Sequence, residues 1–151
     1  MFILKILFIF FICLNISSSY ASNIKNSAVV FMYHKFGVSK YPSTSVTIEQ
    51  FDEHLKEFSK SKYSVESVEF IIDTIINDGD LPENTIGISI DDADKSFYEV
   101  GWPKFKEMGF PVTLFVNTST IHENNKNYLN WDQIRELVNE GVSIGAHSHS
   151  H

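Results

Sequence analysis

Two clusters of side chains suited to metal and proton chemistry stand far apart in this chain of 151 residues. Asp91, Asp92 and Asp94 close the stretch TIGISIDDAD, and His147, His149 and His151 alternate with serines at the other end, in GVSIGAHSHSH. Adjacent carboxylates raise one another's pKa, so the pair Asp91-Asp92 calls for a metal ion, a basic partner or a shared proton. Successive strand side chains point to opposite faces, which lets one carboxylate ligate an ion while its neighbour handles a proton. His147 and His151 are four residues apart, a spacing that puts two imidazoles on one side of a helical turn, with His149 pointing elsewhere. One carboxylate and two imidazoles would leave coordination positions open for water, the pattern of a catalytic rather than a structural site. A histidine-rich tail with no site at all is the competing explanation of the second cluster.

Both clusters need strands to bring them together. Ile86, Ile88 and Ile90 form an apolar run that ends at the aspartates, and Val112, Leu114 and Val116 repeat the pattern. Such runs fit a parallel sheet covered on both faces, in which ligands sit at the C-terminal strand ends. Ala28 to Tyr33 reads as the first strand, with His34 at its end as a candidate pocket residue. Between the strands the signals alternate with helical ones. Thr47 and Gln50 fit a capping box for a helix burying Phe51, Leu55 and Phe58, with His54 on its polar, solvent-facing side. Val68 to Ile76 is a second helix. Lys95 to Met108 is a third, with Phe97, Val100 and Phe105 inward and Gly109 as its stop. Asn130 and Gln133 cap a fourth, Trp131 to Glu140. Gly37 to Ser45 is a loop, and Asn117, Thr118 and Ser119 form a polar strand end. Asp94 is expected to cap a helix and solvate a loop. Four strands are clear, with a fifth at Tyr63 to Val65, and the order predicts β/α units with right-handed crossovers.

On these residues the chain resembles the NodB-type polysaccharide deacetylases, carbohydrate esterase family 4. Asp91-Asp92 after one strand and His147-Ser148-His149-Ser150-His151 after a later one look like the family's first two motifs. Lys95 to Val116 resembles its intervening helix and P-[VA]-T-x-F-V strand. Val30 to His34, VFMYH, resembles the opening strand of the branch acting on exported poly-N-acetylglucosamine and related polymers. The resemblance covers about residues 28 to 151. It implies the N-terminal part of a distorted parallel (β/α) barrel, incomplete at the C-terminus. It further implies a hydrolase that removes N-acetyl groups from a polysaccharide. Asp92, His147 and His151 would hold a divalent metal, zinc first with cobalt or nickel as substitutes, and Asp91 would act as base. Where the family has T-F-D-D-G, this chain has Ser89-Ile90-Asp91-Asp92-Ala93; a positive φ at Ala93 would cost on the order of 1 kcal/mol. The family's later motifs, which carry a general acid, would lie beyond His151, so weak catalysis and an apolar, self-associating sheet edge are expected of these residues alone. A non-catalytic carbohydrate- or metal-binding remnant of the fold is the second reading. A D-x-D phosphatase built on Asp92 and Asp94 is a third, which finds Ser96 where it wants threonine.

Residues 1–21 read as a secretory signal, with Lys5, the apolar run Ile6 to Leu14 and small residues Ser19 and Ala21 before the cut. The remaining residues 22–151 then form one domain in an exported, periplasmic, surface or secreted protein. Cys13, the sole cysteine, would leave with the signal, so no disulfide staples the domain. The net charge of −7 argues against nucleic acid. It would tolerate a polymer that turns cationic as its amines are unmasked.

Overall fold

The computed structural model describes residues 26–123 and 125–151; residues 1–21, read above as a secretory signal, lie outside them. Strands β1 (Ala28–Tyr33), β2 (Lys35–Phe36) and β3 (Ser45–Val46) precede helix α1 (Ile48–Phe58). Then come β4 (Ser64–Val65), α2 (Val68–Ile76) and β5 (Thr85–Asp91). A π-helical turn over Phe97–Gly101 runs into α3 (Trp102–Glu107), followed by β6 (Thr113–Val116), α4 (Thr118–His122), α5 (Trp131–Asn139) and β7 (Ser143–Ala146).

The main sheet is parallel throughout, in the order β1-β5-β6-β7. β5 is its axis. It pairs with β1 from Thr85 to Ile90, while β4 and β6 share its other side, β4 at Thr85 and Ile86 and β6 at Ser89 to Asp91. This fits the apolar run of β5, whose Ile88 and Ile90 are wholly buried. Alternation sorts the side chains. Phe31 and Tyr33 share a face with Ile88 and Ile90, and that face is covered by aromatic rings. Tyr33, Phe36, Phe51 and Phe105 approach one another with centroids 4.8 to 6.1 Å apart, mostly edge to face, the arrangement the ring quadrupole favours. Asp91, Phe115 and Gly145 lie in register on the opposite face.

The helices follow their local signals. Thr47 with Gln50 and Asn130 with Gln133 form reciprocal capping boxes on α1 and α5. Several details differ from the sequence reading. His54 is half-buried, because the Tyr33 hydroxyl lies 2.9 Å from its Nδ1 and Phe58 packs against its ring; a buried phenol needs a polar partner, and α1 supplies it. The segment 95–108 is not one α-helix, since it opens as a π-helical turn before α3. The loop from Gly37 to Ser45 is tied at its base by the β2-β3 ladder. Trp102, unremarked in the sequence, is buried, with its indole donating to Glu140.

Among the described residues, β1 and β7 pair on one side only. Val29 and Met32 on β1 and Ile144 on β7 are exposed, the open-edged sheet expected of part of a barrel. No helix among the described residues is long and apolar enough to cross a membrane.

Candidate metal centre

Asp92 is the first residue past β5, and His147 the first past β7. Backbone conformation turns them toward each other. Asp92 and Ala93 both adopt left-handed φ, +72° and +56°, so the chain bends sharply where the strand ends. Ala93 therefore bears the strain expected of alanine at a glycine position, and its methyl is fully buried. The turn is pinned by Leu129, whose N–H donates to the Ala93 carbonyl at 2.9 Å.

The histidine segment is not helical. The His147 N–H donates to the Val116 carbonyl at 2.9 Å, extending the β6-β7 ladder by one bond, and Ser148 then turns at φ +62°. His151 N–H donates to the Ser148 hydroxyl. This tight loop, rather than a helical turn, brings the two imidazoles together, with ring centroids 4.9 Å apart. His149 points away, as expected, and pairs through Nδ1 with the Thr118 hydroxyl at 2.8 Å. The start of α4 holds the loop from outside, Ser119 N–H donating to the His149 carbonyl at 2.8 Å. The polar strand end at Thr118 and Ser119 thus supports the histidine loop. Nothing in the sequence tied the two segments together.

The three expected ligands converge. Asp92 Oδ1 lies 3.4 Å from His147 Nε2 and 3.3 Å from His151 Nε2, and Asp92, His147 and His151 can offer one donor atom each within 4.8 Å of one another. Asp92 Oδ1 and His147 Nε2 are buried without any hydrogen-bond partner. Orphaned buried polar atoms cost about 1 to 3 kcal/mol each, and lone pairs that face one another at this distance repel unless a cation or proton lies between them. A tetrahedral ion with bonds of about 2.1 Å places its ligand atoms about 3.4 Å apart, close to the two spacings seen here. The donor set therefore fits a divalent metal.

Asp91 and His34 flank this centre. Asp91 ends β5, half-buried on the Phe115 face. His34 follows Tyr33, which pairs with Ile90, so it stands at the strand end beside Asp91, also half-buried; it is not among the converging ligands. Asp94 does not join the site. Its Oδ1 accepts from the backbone N–H and hydroxyl of Ser96, the expected capping role, and its Oδ2 lies 3.2 Å from Lys35 Nζ with both side chains largely buried. The D-x-D reading fails on this geometry, because Asp92 faces the histidines while Asp94 faces Lys35. Sequence reasoning overlooked Lys35, since only the fold sets β2 beside the turn after β5.

The comparisons with known proteins bear on the family and the fold. Residues 78–151 match the family model described as Polysaccharide deacetylase. The YxkH protein of Bacillus subtilis (strain 168), whose name places it with polysaccharide deacetylases, is 25% identical over 122 residues, which cover 81% of this chain and 42% of that protein. The poly-beta-1,6-N-acetyl-D-glucosamine N-deacetylase of Staphylococcus aureus (strain MSSA476) is 23% identical, covering 83% of this chain and 49% of its own length. The chain thus spans less than half the length of these two curated relatives. Among solved structures, the Streptococcus pyogenes deacetylase PplD in complex with acetate superposes with a TM-score of 0.73 at 22% identity, over 83% of this chain and 57% of that one. IcaB from Ammonifex degensii superposes with a TM-score of 0.66 at 22% identity, over 81% and 53%. The five-stranded sheet is therefore the fold of part of these larger α/β domains.

Proposed function

We propose, from the match of residues 78–151 to the polysaccharide deacetylase family model, that the chain takes part in metal-dependent hydrolysis of N-acetyl groups on an amino-sugar polysaccharide. The observation that carries this reading is the meeting of Asp92, His147 and His151 around two buried, unpartnered polar atoms. These three would hold the divalent ion, zinc by its preference for two imidazoles and a carboxylate, with cobalt or nickel as substitutes. When bound, such an ion polarises the acetyl carbonyl and lowers the pKa of water.

The remaining chemistry falls to the chain's own groups. Asp91, at the end of β5 beside Asp92, accepts the proton of the attacking water. The oxygen–carbon bond forms as that proton leaves, and the amide carbon–nitrogen bond then breaks, giving acetate and the sugar amine. His34, beside Asp91, contacts the sugar. A proton equivalent to the one that Asp91 removes returns to the departing nitrogen, which leaves as the amine. Export through residues 1–21 and self-association through the open β1 and β7 edges complete the reading. Sedimentation of the purified chain checks the latter, and a monodisperse monomer would exclude it.

The decisive experiment loads the protein with zinc and measures acetate release from N-acetylglucosamine oligomers beside metal affinity. Asp91→Asn is expected to keep the metal and lose activity by about 10²- to 10⁴-fold, the range typical of a general base. Asp92→Ala is expected to lose both. Undiminished hydrolysis by Asp91→Asn would overturn the assignment of the base, and metal binding without hydrolysis in the unaltered protein would favour a binding role.

A further inference from the structure

Beside the metal centre lies a second cleft, of about 580 Å³, lined by Lys35, Lys40, Tyr41, Asp94, Lys126 and Tyr128 among others, a size typical of small-ligand sites. Asp94 in its wall is two residues from Asp92, so the cleft comes within about 7 Å of backbone of the metal centre. Its floor is fixed. Lys35 and Asp94 form their largely buried ion pair there, the Ser96 hydroxyl donates to Asp94 while accepting from the Phe36 N–H, and Asp94 bridges to Tyr128 across an antiparallel contact. Its walls are aromatic. The Lys35 ammonium lies 5.5 Å from the Tyr41 ring centre and 5.9 Å from that of Tyr128, and Lys40 lies 5.3 Å from Tyr41, within cation–π reach.

Charge gives the cleft its character. It is lined by four lysines (35, 40, 95 and 126) and two carboxylates, Asp94 and Glu99. Lys35 pairs with Asp94 and Lys95 with Glu99, while Lys40 and Lys126 have no carboxylate in ion-pair range among the described residues. A local excess of two positive charges therefore sits on a chain whose net charge is −7. A neutral amino-sugar polymer could take only hydrogen bonds from those two amines, whereas a carboxylate would also gain charge pairing. Tyrosine faces suit a pyranose ring, and ammonium groups beside them suit a carboxylate on that ring.

We infer that this cleft is a subsite for an acidic sugar unit, one carrying a carboxylate, next to the N-acetylated unit on which the metal centre acts. The inference rests on the deacetylase reading for the neighbouring unit but not for the binding itself. The substrate class becomes an acidic heteropolymer rather than a neutral homopolymer.

The test is calorimetric binding of two probes to the full chain: a hyaluronan tetrasaccharide, which alternates glucuronate with N-acetylglucosamine, and the neutral N-acetylglucosamine tetramer. The acidic probe is expected to bind at least about tenfold more tightly, with the preference shrinking as added salt shortens the Debye length from about 10 Å to about 3 Å. The double substitution K40A/K126A, at two loop positions, is expected to bring the ratio to about one while the thermal midpoint stays unchanged. Tyr128→Ala is expected to weaken both probes. Asp92→Ala is expected to keep the preference, so loss of deacetylation and loss of this subsite are read separately. Equal binding of the two probes, a preference that survives the double substitution, or displacement of the acidic probe by inorganic phosphate at matched ionic strength would overturn the inference.

Discussion

The Nε2 atom of His151 faces Oδ1 of Asp92 across 3.3 Å, although the two residues follow strands that do not touch. Two groups that offer lone pairs to each other need a positive charge between them. A histidine tail that captures metal by itself would be indifferent to Asp92. We expect Asp92→Ala and His147→Ala each to lower zinc affinity by about 100-fold or more, since even supporting residues around a metal are worth 10- to 100-fold. His149→Ala, whose ring is occupied by Thr118, is expected to leave it nearly unchanged. Equilibrium dialysis against a zinc indicator distinguishes the two cases, and equal effects at all three histidines would point to a tail.

Ala93 offers a test of strain against packing. Replacing it with glycine relieves a left-handed residue, worth about 1 kcal/mol, and gives up one buried methyl, worth about 0.8 kcal/mol. The terms nearly cancel, so Ala93→Gly is expected to shift stability by less than about 1 kcal/mol. Ala93→Val combines a β-branched side chain at positive φ with overpacking that costs about 1 to 3 kcal/mol. Urea midpoints of the two variants give the comparison, and a severe loss on Ala93→Gly would mean that the methyl matters more than the backbone.

Gly145 lies under the Phe115 ring. A Cβ there would lie 2.4 Å from Phe115 Cδ1 and Cε1, too close to exist, so Gly145→Ala must displace the ring or the strand. The expected loss is about 1 to 3 kcal/mol. Phe115 pairs in register with Asp91, and Gly145 precedes His147 by two residues, so zinc affinity should fall with stability. Combining Gly145→Ala with Phe115→Leu should recover part of both, measured by denaturation and zinc titration.

Glu57, just inside the end of α1, gives the clearest pH signature. Its hydrogen bonds to Lys60 and then Lys62 hold its carboxyl at about 2, below the ordinary 4.5. A carboxylate lowered on folding adds stability that is fully present above its unfolded value and disappears as pH falls through the folded one. The thermal midpoints of the unaltered protein and of Glu57→Gln should therefore differ above pH 4.5 and converge toward pH 2. The gap should be small, because the pair is exposed and solvent screens it.

Much of this arrangement was readable in the chain because its determinants are local. The bounds of β1, both capping boxes and the end of β5 at an acid pair depend on neighbours within a few residues. That Asp92, His147 and His151 would converge was legible for another reason: parallel β/α units deliver strand ends to one side, and the family resemblance named these three positions after the strands. What stayed hidden depends on contacts across the fold. Asp94 is buried because Lys35 arrives from β2, His54 is drawn inward by Tyr33, and α3 opens as a π-helical turn whose hydrogen bonding leaves no mark in residue types. The four-residue histidine spacing predicted proximity correctly through the wrong backbone, since a left-handed Ser148 achieves what a helical turn would have done.

β6 gives the site no ligand, yet it sets the gauge of the whole centre. With β5 on one flank and β7 on the other, it holds Asp92 and His147 two strand spacings apart, about 9.5 Å of backbone, a span closed only by side chains leaning inward over its end. The carbonyl of Val116 is already taken by the His147 N–H, and Asn117 is buried and accepts from Thr120, so the middle strand ends low and quiet. The centre is built like an arch over a silent pier. The backbone part of its aperture follows from β-sheet geometry, and the side chains of Asp92, His147 and His151 close the rest.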